Sequence, residues 1–296
     1  MAEPLDLDQP LVGELLARCR FPDAAEVTCA VSGGADSLAL AVLAVASGRR
    51  VTVVHVDHGS RPGSEREADV VAEVAARLGA EFRAERVAVP SGPNYEARAR
   101  AARYAVLPHD VLTGHTADDQ AETVVLNLVR GAALDGLAGM RAERRPLLAL
   151  RRTETAGLCT ALGLRPLDDP TNVSPAHLRN RVRHEVLPLL SEVASRDVVP
   201  VIARQATLLR DAAEHLAAEA AALDPTDARA LAAAPPVLAR LALRRWIQQE
   251  TGAEHPVGAE AVERVLDVAR GTARGTDVGG GWQVRRTDSR LRLESN

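Results

Sequence analysis

Glu26-Val27-Thr28-Cys29-Ala30-Val31-Ser32-Gly33-Gly34-Ala35-Asp36-Ser37 decides how this chain folds. Glu26–Val31 is a short apolar run that ends in a Ser-Gly-Gly turn, and Ser37–Ala46 behind it reads as a helix stopped by Ser47-Gly48. Glycines let a backbone bend sharply and come close to a ligand. The free N–H groups and the dipole of a helix start favour an anion there. Ser32 and Ser37 add hydroxyl donors, and Asp36 suits a Mg²⁺ ion shared with phosphate oxygens. An ordinary strand-to-helix turn capped by Asp36 and Ser37 is the plainer reading of the same six residues.

Outward from that turn, strand-like and helix-like segments alternate. Val51–Val56 is β-branched without polar alternation, as in a strand buried on both faces. Glu65–Leu78 follows a helical period, with Gly79 where a C-cap belongs. Phe82–Val89 reads as a third strand, Tyr95–Leu107 as a helix, Asp110–Thr113 as a short strand and Ala117–Val129 as a helix. This order predicts an α/β fold, a parallel sheet with helical crossovers. From Arg179 to Leu223 the text is helical, with Pro188 and Pro200 as expected breaks, and Thr226–Glu250 continues so around Pro235-Pro236. Trp282–Arg286 and Arg290–Leu293 alternate around Thr287-Asp288-Ser289 and predict a terminal β-hairpin. The expected division is a catalytic domain over 1–198 and a smaller, mainly helical domain over 199–296.

Composition narrows the chemistry. Of 296 residues only 2% are aromatic, so the core must be built from Ala, Val and Leu. All 36 basic residues are Arg; without Lys, neither a Walker A loop nor a Schiff-base enzyme is available. A net charge of −4 argues against a wholly basic nucleic-acid coat but leaves room for a local Arg patch. Cys19, Cys29 and Cys159 form no CxxC pair and no zinc pattern, and read as free thiols of a reducing cytoplasm. Met1–Pro10 is acidic and unlike a signal peptide, and Leu38–Ala46 is far short of the ~20 residues of a membrane span.

A second polar constellation is His115-Thr116-Ala117-Asp118-Asp119-Gln120-Ala121-Glu122-Thr123. Thr116 to Asp119 has the spacing of a capping box, with Asp in place of Glu or Gln. Capping leaves Glu122 unexplained, which a helix brings to the face of Asp118 and Asp119. Carboxylates and His115 at the C-terminal edge of a parallel sheet lie where such sheets bind ligands. Glu96, Arg100 and Arg103 share one helical face, either as a solvated ladder or with Arg aimed at phosphate. Arg179 and Arg183 share another, and Arg141, Arg144, Arg145, Arg151 and Arg152 cluster in sequence; phosphate backbones are held in this way, and solvated faces look the same.

The hexapeptide Ser32–Ser37 resembles the SGGxDS signature of the PP-loop ATP pyrophosphatases, which cleave ATP between the α and β phosphates. With it stand, in order, Asp57-His58-Gly59, then Glu96 with Arg100, Arg103 and Tyr104, then Asp118-Asp119-Gln120 with Glu122-Thr123. Arg130-Gly131 follows, then Asp169 with Asn172, and Arg179-Asn180 with Arg183. Together they span Val27 to Leu190 and are similar to the tRNA(Ile)-lysidine synthetases. The family often has two adjacent His before Asp-Asp-Gln, where this chain has His115-Thr116. The chain ends after the presumed hairpin, like the short form of the family.

The resemblance implies a Rossmann-like sheet of the PP-loop type, with helices on both faces, and a two-step ligation. ATP adenylates C2 of the wobble cytidine of a CAU-anticodon isoleucine tRNA, and the ε-amine of L-lysine displaces AMP to give lysidine. It implies ATP binding by Ser32, Gly33, Gly34, Ala35, Asp36 and Ser37 with His58, Arg100 and Arg103. Asp36, Asp119 and Glu122 become the catalytic carboxylates, Asp36 for Mg²⁺ or lysine and Asp119 and Glu122 for lysine. Arg179, Asn180 and Arg183 become tRNA contacts, and the C-terminal domain another. The expected setting is cytoplasmic, without membrane contact; a homodimer is left open. The competing readings are a PP-loop tRNA thiolase, an ATP-dependent synthetase or amidotransferase acting on a small molecule, and a nucleotide-binding module without catalysis.

Overall fold

In the computed structural model, which describes residues 3–57, 65–88, 92, 95–167, 178–253 and 257–295 (at 65–66 and 95–97 the backbone only), Glu26–Ala30 forms β1 at the centre of the first sheet. Arg50–Asp57 (β2), Glu81–Arg86 (β3) and Leu112–Thr113 (β4) complete it in the order β3-β2-β1-β4. All three pairings are parallel, with Cys29 beside Val53 on one side and Leu112 on the other. The chain thus runs outward from β1 through β2 to β3, then returns to the opposite side of β1 for β4. Ligands of open α/β sheets bind at such a reversal, outside the carboxyl ends of the two diverging strands.

Helices cover both faces, as expected. Val51 and Val53 point to one face, where they join Leu40 and Leu43 of Ala35–Ala46 (α2) and Val71 and Val74 of Glu65–Arg77 (α3). Val54 and Val56 point to the other, against Tyr104 of Tyr95–Val106 (α4) and Leu107. That alternate valines go to opposite cores is why β2 shows no polar alternation. Helix α2 is buried along most of its length because Pro10–Leu16 (α1) and Arg152–Ala161 (α7) pack on it from outside the sheet. Ala117–Val129 (α5) follows β4, and Leu134–Leu137 (α6) is a single turn beyond it.

Pro188 does not break its helix. Leu178–Arg181 (α8), a π-helical turn over Val182–Val186, and Leu187–Val193 (α9) run on without interruption. Proline has no N–H and its ring collides with the carbonyl four residues back. A local widening to π geometry takes that carbonyl out of the way. Pro200 lies in the first turn of Val199–Ala220 (α10), where a missing N–H costs nothing.

The chain divides into two compact units, Met1–Thr207 and Leu208–Asn296, so that the division falls inside α10. In the second unit Ala228–Ala233 (α11), Pro236–Thr251 (α12) and Ala259–Arg270 (α13) bury Leu231, Leu243, Ile247 and Leu266. The expected hairpin, Trp282–Thr287 (β6) with Arg290–Ser295 (β7), carries a third antiparallel strand, Gly275–Gly279 (β5). That strand was illegible because its Gly-Thr-Asp-Val-Gly text is poor in strand formers and contributes only Val278 to the core.

Candidate functional site

The turn after β1 is held from within. The Ser32 amide donates to Ser37 Oγ at 3.1 Å, and Ser37 Oγ donates to the Gly34 carbonyl at 2.8 Å. Gly34 is the N-cap of α2, and Gly33 has φ +91°, where an L side chain is strained. A Cβ on Gly33 would also lie 2.5 Å from Leu167 Cδ1, and the Leu167 amide donates to the Gly33 carbonyl at 3.0 Å. Across the sheet reversal, Gly114 brings the end of β4 against the start of α2; a Cβ there would meet the Asp36 carbonyl oxygen at 2.5 Å. Ser32, Gly34, Ala35, Asp36 and Ser37 line a cavity of about 570 Å³ with His115, Asp119 and Arg152. The first amides of α2 have no acceptor inside their helix and favour an anion in it.

Asp36, Asp119 and Glu122 come together around one guanidinium. Arg152 Nη2 donates to Asp119 Oδ1 at 3.0 Å, Nη1 to Glu122 Oε1 at 3.2 Å, and Nε to Asp36 Oδ2 at 3.4 Å. Glu122 is fully buried and also receives Arg179 Nε and Arg183 Nε, each at 2.7 Å. Asp119 Oδ2 accepts the Thr116 amide at 2.9 Å, as the capping spacing predicts, while its Oδ1 takes Arg179 Nη2 at 3.1 Å. Burial opposes ionisation of Asp119, but Arg152, the Thr116 amide and Arg179 outweigh it and hold the carboxyl below its ordinary value. Asp36 differs. Burial raises its carboxyl, and the hydroxyl of Thr155 and the charge of Arg152 only partly offset that.

Asp118 leaves the expected cluster. Its carboxylate receives Arg151 twice, at 3.0 Å each, and the Arg152 amide at 2.8 Å, so it fastens the start of α7. Arg179 and Arg183 turn inward to the carboxylates rather than outward on a free basic face, and Asn180 is 8% exposed, inside its packing. Arg151 and Arg152 likewise belong to carboxylates and not to a solvent-facing cluster. Arg100 and Arg103 line the cavity, Arg100 over the Tyr104 ring at 5.0 Å. His58, Asp169 and Asn172 lie outside the described residues, as does the side chain of Glu96.

Arg152 and Thr155 are the site residues that sequence reasoning did not assign. One signal was available: Arg151 and Arg152 open a helix, where the dipole disfavours cations, so they need carboxylate partners.

His115 forms the cavity wall beside Thr113, its Nδ1 2.8 Å from Thr113 Oγ1. Burial pushes its pKa down to about 4 from 6.5. Between those values the unfolded chain binds a proton that the folded protein refuses, so stability falls as pH drops from 6.5 to about 4. His115→Asn removes this part of the pH slope, read by thermal unfolding across the interval; an unchanged slope would show His115 already charged in the fold.

Residues 9–190, more than half of the chain, match the PP-loop domain family, and residues 227–292 match the TilS substrate binding domain. The chain is 43% identical to the tRNA(Ile)-lysidine synthase of Nocardia farcinica over 86% of each chain. It is 40% identical to that of Rhodococcus jostii over 90% of this chain and 89% of the other. Among solved structures it is similar in fold to the U34-tRNA thiolase NcsA from Methanococcus maripaludis, with TM-score 0.53 and 20% identity over 68% of this chain and 77% of that one. With its phosphate loop at the sheet reversal and its carboxylates facing that loop, the chain belongs to the tRNA(Ile)-lysidine synthase family.

Proposed function

We propose that this protein ligates L-lysine to C2 of the wobble cytidine of the CAU-anticodon isoleucine tRNA at the expense of ATP. The observation that carries the proposal is the placement of Asp36, Asp119 and Glu122 around one cation beside the phosphate loop. In the first step the C2 oxygen attacks the α-phosphorus, an α–β phosphoanhydride bond breaks and pyrophosphate leaves. The amides and hydroxyls of Ser32–Ser37, with Arg100 and Arg103, stabilise the charge that develops on the leaving group. Mg²⁺ takes few protein carboxylates when phosphate supplies further oxygens, so Asp36 alone at the loop is a fitting donor; the ion would add charge neutralisation there.

In the second step the ε-nitrogen of lysine attacks C2, the C2–O bond to AMP breaks with AMP leaving, and the ammonium proton passes by way of Asp119 or Glu122 to solvent. Asp119 and Glu122 hold the incoming ammonium, which must exchange with Arg152 because both Asp119 oxygens are already engaged. Arg179 and Arg183 act in tRNA binding once released from Glu122, and the 199–296 domain adds further tRNA contacts. His58, which the resemblance places with the nucleotide, is a further proposed ATP contact.

A thiolase would need reactive sulfur. Cys19, Cys29 and Cys159 are all free, and burial pushes each thiol up to about 12, away from the reactive thiolate. The test is incubation of the protein with the tRNA, ATP, Mg²⁺ and lysine, followed by mass analysis of the nucleosides. Lysidine is expected at the wobble position, with AMP and pyrophosphate released only when tRNA is present and AMP only when lysine is too. An unmodified cytidine under these conditions refutes the assignment.

A further inference from the structure

The cations in and beside the cavity are unevenly matched. Arg152, Arg179 and Arg183 each reach a carboxylate. Among the described residues Arg100, Arg103 and Arg145 form no ion pair. Arg103 Nε and Arg145 Nε are shut away from solvent without an acceptor. Among the described residues the Arg145 guanidinium makes one hydrogen bond, from Nη1 to the Arg141 carbonyl at 2.9 Å. Burial, with the neighbouring charges of Arg144 and Arg100, lowers its guanidinium from the ordinary value.

Its backbone is fixed. The Thr113 amide donates to the Arg144 carbonyl at 2.9 Å, so this segment covers the free edge of β4 and places Arg145 close enough to His115 to repel its proton. Arg144 is exposed and carries the positive charge from Arg145 to the surface, while Arg141 beside it pairs with Glu143 at 3.7 Å. A half-buried guanidinium without an anion costs stability, a cost that a charged oxygen acceptor would offset. The triphosphate of ATP is accounted for by the loop at α2 with Arg100 and Arg103 across the same cavity. Charge continuing from beside His115 to solvent suits a chain of phosphates instead.

The geometry points to Arg145, with the exposed Arg144 beside it, as an anion subsite separate from the phosphate loop and from Arg100 and Arg103, taking a backbone phosphodiester of the RNA close to the reacting base. This rests on the RNA substrate proposed above. The test compares wild type, Arg145→Gln and Arg145→Lys for affinity toward a CAU anticodon stem-loop RNA at several salt concentrations, for affinity toward ATP, and for thermal unfolding without ligand.

Arg145→Gln is expected to weaken RNA binding about tenfold and to reduce the salt slope by about one. It should leave ATP affinity unchanged and raise the melting temperature of the free protein, since an uncompensated cation is gone. Arg145→Lys should restore the salt slope and part of the affinity. Loss of ATP affinity with RNA binding intact would assign the residue to the nucleotide. A lower melting temperature with both affinities intact would make it structural; either result overturns the subsite. A wild-type protein that binds the RNA but forms no lysidine counts against the reaction alone, because the Arg145 comparison reads binding.

Discussion

Asp36→Ala is expected to lower pyrophosphate release about a hundredfold to a thousandfold, the usual effect of removing one preorganised electrostatic group from a reacting centre. The fold should survive unharmed. Burial raises the Asp36 carboxyl, so at neutral pH its ionised form is disfavoured in the folded protein and contributes a stability cost rather than a gain. Thr155 keeps the Arg152 carbonyl as acceptor at 2.9 Å, and Arg152 keeps Asp119 and Glu122. The melting temperature is therefore expected to stay level or rise while tRNA-dependent pyrophosphate release, followed with labelled ATP, collapses. Wild-type turnover in this variant would remove Asp36 from the reaction. A variant that loses activity by unfolding would show instead that the carboxylate is a structural ion-pair partner.

Glu122→Gln is expected to do the reverse, striking stability first. Glu122 is fully buried and is the shared counter-charge of Arg152, Arg179 and Arg183. Removing one partner of a buried pair costs about 3–5 kcal/mol because the other charge is left uncompensated. Arg152, Arg179 and Arg183 retain 29%, 38% and 22% exposure and can recover some hydration, which places the loss near the lower end, about 3 kcal/mol. A native domain has only about 5–15 kcal/mol to lose. Urea unfolding measures this directly, and an unshifted midpoint would mean that the three arginines find other anions. The same variant should bind lysine weakly, since Asp119 alone remains to hold the ammonium. The two results together would separate the carboxylates by work done, Asp36 for the nucleotide and Glu122 for the cohesion of the site.

Both carboxylates were legible in the sequence, and so was the architecture around them. The apolar run into Ser-Gly-Gly, the valines of β2 with no polar alternation and the spacing of helical segments are local signals, and each was realised in the sheet. The capping of α5 by Asp119 was equally local, because partners three residues apart meet in any helix start. What stayed hidden depended on contacts between segments distant in the chain. Arg152 and Asp36 are 116 residues apart and Arg179 and Asp119 are 60 apart, and no periodicity connects them. Arg179 and Arg183 looked like an outward basic face because charge on a helix is ambiguous about direction. Packing turned them inward, where Glu122 offers a buried negative charge that needs cationic partners. The sequence by itself determined the phosphate turn, the parallel sheet and the carboxylates at its edge, since these follow from backbone freedom and side-chain period. Tertiary structure alone decided which cation meets which anion, because Coulomb attraction acts across whatever distance folding has closed and leaves no spacing in the chain to read.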